Sequence, residues 1–350
     1  MSDLKFKPQG ASFFKELSKD VYAYLKSKRN GSYAGINFWF KTILLGGIIT
    51  WAYSTILYSS NPFILAMAYL ILGFGMLLTA FNVAHDASHN SISRNKKVNY
   101  ILYYMSFMLQ GLNGYLWRKR HVEEHHPYPN IPHRDPDLIN TKLLRYSESQ
   151  PYKKYHRFQA FYALPLYAVY TLFWIFIKDF TRKGNTLDTK KFRNQVLLNV
   201  VHKLIYLFLL IGLPYMTGPF SLYTYIMCFL CMHVVASVFL VFTFTMSHYI
   251  SGQPEVIIDD STLQNSWEVH QVVSSVDFHT QSRLALFFFG GFNCHVAHHL
   301  FPHVSHVHYP ALSKIIRTHL KLYNIPMREV RFLQGIKLHF KLLNEMGKRD

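Results

Sequence analysis

Two long stretches of the chain, residues 42–84 and 204–250, contain no Asp, Glu, Lys or Arg. Each is about long enough to cross a bilayer twice, because one helical span needs about 20 apolar residues. The first breaks at Ser59, Ser60, Asn61 and Pro62, which predicts helices over 38–58 and 62–84 joined by a tight turn. The second of these would be roughly 34 Å long and would bring His85 out at the far interface. The same logic applied to the second stretch predicts a helix closing over 204–216, a turn from Pro214 to Pro219 and a long helix from Phe220 to Met246. At roughly 40 Å the last helix should project past the bilayer and carry His248 above its surface.

Two further uncharged runs, 98–117 and 158–177, have the length of a span. Parity argues against counting either one. The turns at 59–61 and 214–219 hold no basic residue, whereas Arg118, Lys119, Arg120, Arg182, Lys183, Lys190, Lys191 and Arg193 mark their loops as cytosolic. Both runs are therefore expected to lie in or dip into the cytosolic leaflet, with Pro165 kinking the second. The predicted fold is an all-α integral membrane protein. It has four transmembrane helices in two hairpins, interfacial helices and a cytosolic helical cap. Its predicted parts are a cytosolic N-terminal segment (1–37), a transmembrane hairpin (38–84), a cytosolic and interfacial region (85–203), a second hairpin (204–247) and the cap (248–350).

A hydrophobic content of 50% fits this reading, and the net charge of +18 changes it little, because the basic residues lie outside the apolar stretches. Such a surface suits anionic lipid head groups and an acidic electron-transfer partner better than nucleic acid, for which no zinc-finger spacing or basic heptad helix is present. Cys228, Cys231 and Cys294 offer no disulfide framework and are expected to pack. The N-terminus is polar and basic, so membrane targeting is expected from the first spanning helix.

Histidines carry the candidate chemistry. His85 and His89 are four apart, His121, His125 and His126 repeat that spacing with a doubled end, and His295, His298 and His299 give a three-residue version. On a helix each set presents its imidazoles on one face. All three sets fall at predicted interface positions on one side. Eight imidazoles exceed what one ion accepts and suit Fe, Zn, Cu or Ni, so two metals follow; a closed structural zinc site would hold four ligands and often Cys. His233, alone in an apolar helix, is expected to be a buried residue bonded to a neighbour, and His133, His156, His202, His319 and His339 surface or interfacial residues. Asp86, Asp135, Asp137 and Asp277 are candidates to accept the outer ring N–H of a ligand, with Asp86 and Asp137 favoured. Glu123 and His126 form an E-x-x-H unit, but the partner glutamates of a soluble di-iron bundle are missing.

These three boxes resemble those of the membrane fatty acid desaturases. The resemblance extends from about Asn82 to Arg317 and includes Asn90–Asn99, Trp117, Asp135-Pro-Asp137 and the run Gly290–Pro302. Its flanks look most like the branch containing bacterial acyl-lipid and front-end desaturases, although front-end members usually open the third box with Gln and have Glu before the paired histidines, where this chain has His295 and Ala297.

The resemblance implies a ninth ligand, His248, with His270 as the competing candidate. It also implies two Fe ions as cofactor and O₂ as co-substrate. The reaction would take up two electrons and two protons, and two hydrogens would leave adjacent methylenes to give a double bond and water. The implied substrate is a fatty acyl chain on a lipid, CoA or acyl carrier protein. With no His-Pro-Gly-Gly motif in the chain, electrons are expected from a separate ferredoxin or cytochrome b5. The expected location is a plasma membrane in a bacterium or the endoplasmic reticulum in a eukaryote, with the active site on the cytosolic face. Aromatic residues near Trp117, Trp267 and Phe287–Phe289 are candidates to line an acyl tunnel. The rival readings are a hydroxylase, ketolase or acetylenase with similar boxes, and, from another class, a metal-binding membrane transporter.

Overall fold

The computed structural model describes residues 4–8, 12–136, 142–182, 187–254, 256–259 and 261–348. Four helices are long and apolar enough to cross a membrane: α2 (Ile36–Tyr58), α3 (Pro62–Ser88), α8 (Thr189–Thr217) and α9 (Leu222–His248). Their ends follow from local chemistry. Asn61 accepts hydrogen bonds from the Phe63 and Ile64 N–H groups and Pro62 opens α3, so the turn after α2 both stops one helix and starts the next. Asp188 caps α8 through Lys190 and Lys191 N–H, and Ser221 caps α9 through Thr224 N–H. Residues such as Ile43, Phe63, Leu197 and Tyr223 are about 70% exposed, a lipid-facing arrangement for helices of this composition.

Three boundaries differ from the expectation. The helix predicted over 204–216 begins at Thr189, so the boundary set at 203/204 falls inside α8. Its polar first half contains Lys190, Lys191 and Arg193, which the charge-free criterion excluded although helix propensity and the Asp188 cap favour continuation. Pro214 belongs to α8, where the backbone has already opened a π turn over Phe208–Gly212, and the chain turns at Gly218. The third difference lies in 158–177, where α6 (Lys154–Ala168) and α7 (Tyr170–Thr181) meet at 68°. The helix runs through Pro165 and breaks at Val169. Thr171, beyond that break, bonds to Ser237 and His233 of α9, which holds the tip of the bend against the long helix. The run 98–117 likewise divides into α4 (Lys96–Leu109) and α5 (Gly114–Arg120), separated at Gly111 with φ +68°.

Helices α3 and α9 run side by side in the same direction. Gly73 faces Met232, and Phe81 packs on Phe239 and Phe244. Both therefore deliver their C-terminal ends, with His85 and His248, to one end of the bundle. There a second layer forms from α1 (Phe13–Lys26), α10 (Trp267–Val273), α11 (Arg283–Phe289), α12 (His295–Leu300), α13 (Tyr309–Leu322) and α14 (Phe332–Met346). Leu17 and Val21 of α1, Val296 and Leu300 of α12, and Leu312 and Ile316 of α13 share one buried cluster there.

The all-α expectation needs one amendment. Five strands of two or three residues occur among the described residues: β1 (Lys5–Phe6), β2 (Ile258–Asp259), β3 (Thr262–Leu263), β4 (Val276–Phe278) and β5 (Arg328–Val330). β1 lies parallel and β2 antiparallel to β3, while β4 pairs in parallel with β5.

A buried ionic knot fixes the other helices. Asp179 of α7 accepts from Arg120 of α5 at 3.2 Å, from Lys203 of α8 at 3.0 Å and from the Asn113 N–H at 2.8 Å. Removing the carboxylate would strand two buried cations, a change that costs about 3–5 kcal/mol when a buried pair loses one partner. Asp179→Ala is therefore expected to lower the thermal unfolding midpoint in detergent far more than Asp188→Ala, an exposed cap; similar losses from both would contradict the account.

Candidate metal centre

Box by box, the backbone does more than present helical spacing. α3 passes through a π turn at Ala80–Ala84 immediately before His85, and α5 is followed directly by a second π turn spanning His121–His125. Such turns re-aim side chains and recur at functional sites. The third box reaches the other two through Gly290 and Gly291, with φ of +56° and +92°. A Cβ on Gly290 would stand 2.3 Å from the Phe81 carbonyl oxygen, so this turn can lie against the π turn of α3 only as glycine.

The nine predicted histidines come together in two groups. Ring nitrogens of His85, His89, His121, His126 and His298 lie within 4.8 Å of one another, and so do those of His125, His248, His295 and His299. The groups abut, with the His126 and His299 rings 4.6 Å apart. His89 and His121 are half-buried and the other seven buried. Within the groups, Nε2 atoms face each other: His121 to His85 at 3.3 Å, His126 to His121 at 3.1 Å, His295 to His248 at 2.6 Å and His299 to His295 at 3.1 Å.

The outer ring atoms are occupied in a way that orients several rings. His125 Nδ1 meets Asp135 at 3.2 Å, His248 Nδ1 the Ser274 carbonyl at 3.0 Å, His299 Nδ1 Gln271 Oε1 at 2.9 Å and His298 Nδ1 the Tyr309 hydroxyl at 3.3 Å. An Nδ1–H donated outward leaves an Nε2 lone pair pointing inward. In contrast, His89 Nε2 and His298 Nε2 are buried with no hydrogen-bond partner among the described residues, a costly state that a cation would relieve. A metal-ligand set fits these residues.

Of the candidate carboxylates, Asp135 contacts a box histidine ring. Asp86 instead accepts from Ser305 Oγ at 2.7 Å and from His306 N–H and Nδ1 at 3.1 and 2.9 Å, tying the first box to the segment after the third. Asp277 accepts the Val296 N–H at 2.9 Å and so caps α12 from β4. Asp137 lies outside the described residues. His270 stands apart, bonded to the Pro129 carbonyl at 2.7 Å. His233 bonds Thr171 and Tyr206, as expected for a buried histidine. His156, His319 and His339, read as surface or interfacial residues, are buried, and His339 bridges Tyr167 and the Tyr249 carbonyl. Gln271, Tyr309 and the Ser305–His306 pair carry no spacing signal that would have singled them out.

Below His85 opens a narrow, mainly apolar cavity. Trp117 and Phe292 flank its histidine end, and Gly73, Met232 and His233 close the other, about 18 Å away along α3. Trp174 and Tyr206 contribute to the wall, whereas Trp267 and Phe287–Phe289 lie elsewhere.

Four bilayer-length apolar helices capped by a largely buried nine-histidine double cluster and an apolar cavity define a membrane protein built around a candidate two-metal site. The chain belongs to the fatty acid desaturase family, whose model matches residues 60–331, and is thus an oxidoreductase that acts on fatty acyl chains. It is 27% identical to an acyl-lipid (8-3)-desaturase of Physcomitrium patens over 97% of this chain and 72% of the relative. The identity is also 27% to an sn-1 linoleoyl-lipid 6-desaturase of Synechocystis, over 97% of each chain. An enzyme of the same description from Arthrospira platensis is 28% identical over 87% of this chain and 84% of its own.

Burial pushes the His89, His121, His126, His295, His298 and His299 pKa values well below the ordinary histidine range, and neighbouring imidazoles add to the effect. These rings stay neutral in the native metal-free protein, while in the unfolded chain they take up protons below about pH 6.5. Their contribution is therefore lost as pH falls through that value. Asp277, pushed up to about 7 by burial, acts in the opposite direction, one group against six. The unfolding midpoint of metal-free protein is expected to drop between about pH 7 and pH 5; a flat or rising midpoint would contradict this.

Proposed function

We propose that the nine histidines hold two irons, one in each group, and that the chain is a di-iron, O₂-dependent acyl-lipid desaturase. The facing Nε2 atoms carry this reading: neutral imidazoles brought nitrogen to nitrogen in a buried pocket make a donor set for cations and a poor one for each other. Such an iron pair supplies the oxidising power, drawn from O₂, that removes hydrogen from unactivated methylenes. Asp135, Gln271, Tyr309 and the Ser274 carbonyl set which nitrogen of each ring faces inward. Asp86 holds the first box in register with the third. Asp137 is retained as a candidate for the same supporting role.

The cavity is the proposed acyl site. Its lining is predominantly apolar and reaches His85 at one end, the arrangement a hydrocarbon chain needs beside the histidines. The part of the chain that enters lies along α3 toward Gly73, so the depth of the cavity sets which methylenes stand beside the histidines. A glycerolipid carrier is favoured over acyl-CoA or acyl carrier protein because the relatives are named for acyl-lipid substrates. The proposed topology is two hairpins, α2–α3 and α8–α9, with α4 to α7 in the interface. The second layer is a cytosolic cap, supported by the basic loops. Electrons would come from a ferredoxin or cytochrome b5. The membrane would be the plasma membrane of a bacterium or the endoplasmic reticulum of a eukaryote.

Expression in a host of known lipid profile, followed by mass spectrometry of the acyl chains, tests the reaction. A loss of two mass units is expected, and a gain of one oxygen would assign a hydroxylase instead. His125→Ala and His298→Ala should each abolish product and reduce bound iron below that of the unaltered protein, whereas His270→Ala should leave iron content unchanged.

A second substitution probes the cavity. A side chain on Gly73 would meet Met232 Cγ at 2.3 Å and push that flexible group into the acyl space. Gly73→Leu is expected to shift the product profile toward shorter chains with the iron content retained; an unchanged profile in a folded, iron-loaded variant would remove the cavity from the substrate path.

A further inference from the structure

Helix α1 turns Phe13, Leu17, Val21 and Leu25 inward against α12 and α13. The periodicity of an α-helix places Lys15, Lys19, Tyr22 and Lys26 on one outward stripe. Its acidic residues, Glu16 and Asp20, fall on a different flank, and Asp20 is engaged by His319 at 2.9 Å. The three lysines are exposed and, among the described residues, none has a carboxylate within ion-pair distance. Sorting of charge by flank leaves an unneutralised basic strip on the surface above the third histidine box.

That strip leads inward by a short route. The Tyr22 hydroxyl meets exposed His303 at 3.3 Å, and the Tyr22 ring stands edge-on to Phe301 at 6.5 Å. Phe301 follows His299 by two residues, so the surface tyrosine is linked through one buried ring and a few covalent bonds to a member of the second histidine group. A tunnelling electron is carried far better along bonded atoms and packed rings than across a solvent gap.

We propose that the Lys15–Lys19–Tyr22–Lys26 stripe, with His303, is the docking surface for a small acidic protein that carries one electron at a time. This rests on the two-iron reading above. The acyl –CH₂–CH₂– unit gives up two hydrogens, and with O₂, two electrons and two protons it yields –CH=CH– and two waters. Two carriers are therefore each oxidised by one electron per turnover. Complementary charge steers such an encounter and orients the carrier over the Phe301 route. A lipid surface is the less suitable occupant, because an interfacial helix offers its apolar face to the bilayer, whereas the apolar face of α1 is buried in protein. Tyr22 is also the one large hydrophobic residue exposed on the helix among the described residues.

The test is the affinity of the full-length, iron-loaded protein in lipid nanodiscs for two probes, a plant-type ferredoxin and a soluble cytochrome b5 domain, at low and high salt. At low salt Lys19→Glu/Lys26→Glu is expected to weaken binding of the preferred probe at least about tenfold and to flatten its salt dependence. Lys19→Arg/Lys26→Arg should restore it, and the exposed control pair Lys190→Glu/Lys191→Glu should change little. The proposal is overturned if neither probe binds the unaltered protein, if the control pair carries the loss, or if the effect of the α1 pair appears in anionic discs and vanishes in neutral ones, which would assign the stripe to lipid. Product formation by the unaltered protein with a small-molecule reductant is scored separately: its absence would sink the two-iron reading, while the binding comparison still reports on the stripe.

Discussion

Everything in this molecule answers to the cost of gathering neutral imidazoles in a place water hardly reaches. Each neutral ring has one nitrogen lone pair to satisfy, and ring nitrogens face one another closely enough that only a cation between them or a proton shared across them makes the contact favourable. No single segment supplies such a set. Four regions of the chain, separated by tens to hundreds of residues, must end at the same point. The parallel course of α3 and α9, the glycine turn pressed against Phe81 and the β4–β5 pairing beneath α12 each remove one freedom from that convergence.

The supporting bonds form two tiers that work at different distances. Close in, Asp135, Gln271 and Tyr309 act on individual rings. Farther out, Asp86 and Asp277 act on whole segments, one joining α3 to the chain after the third box and the other capping α12. This division accounts for the carboxylate wedged inside the first box, whose Oδ2 takes all three bonds from Ser305 and His306 and so holds the loop after the third box.

How much of this could be read from the sequence depended on whether the relevant signal was local. Apolar runs and histidine spacing are local, and they led to the four long helices and to the nine residues that cluster. Charge-free length, however, is a poor guide to where a helix begins. α8 extends from Thr189 because a helix can leave the apolar layer and continue through lysines, held by a cap and by the contacts of Asn199 and Lys203 with Asp179. The π turns, the break at Val169 and the short strands depend on partners distant in sequence. No periodicity announces that Ser237 will receive Thr171, or that Gly290 must clear a carbonyl on another helix. His339 shows the same limit: one histidine on an amphipathic helix reads as interfacial, and only the buried hydroxyl of Tyr167 and the Tyr249 carbonyl make it a core residue.

The cavity brings these non-local features to bear on function. One wall is α7, which exists as a separate helix because of the break at Val169; another is α8, through Tyr206; the floor is the α3–α9 contact at Gly73 and Met232. His233 bonds Thr171 through one ring nitrogen and Tyr206 through the other, so a single buried imidazole ties the bent segment to α8 across α9. An apolar cavity lined by mobile side chains would position a flexible hydrocarbon poorly, since a chain free to slide presents every methylene in turn. Under the proposed acyl reading a positional reaction requires the floor to be held relative to His85, and α3, continuous from Gly73 through its π turn to the first box, does this together with polar bonds that would be costly to break at that depth.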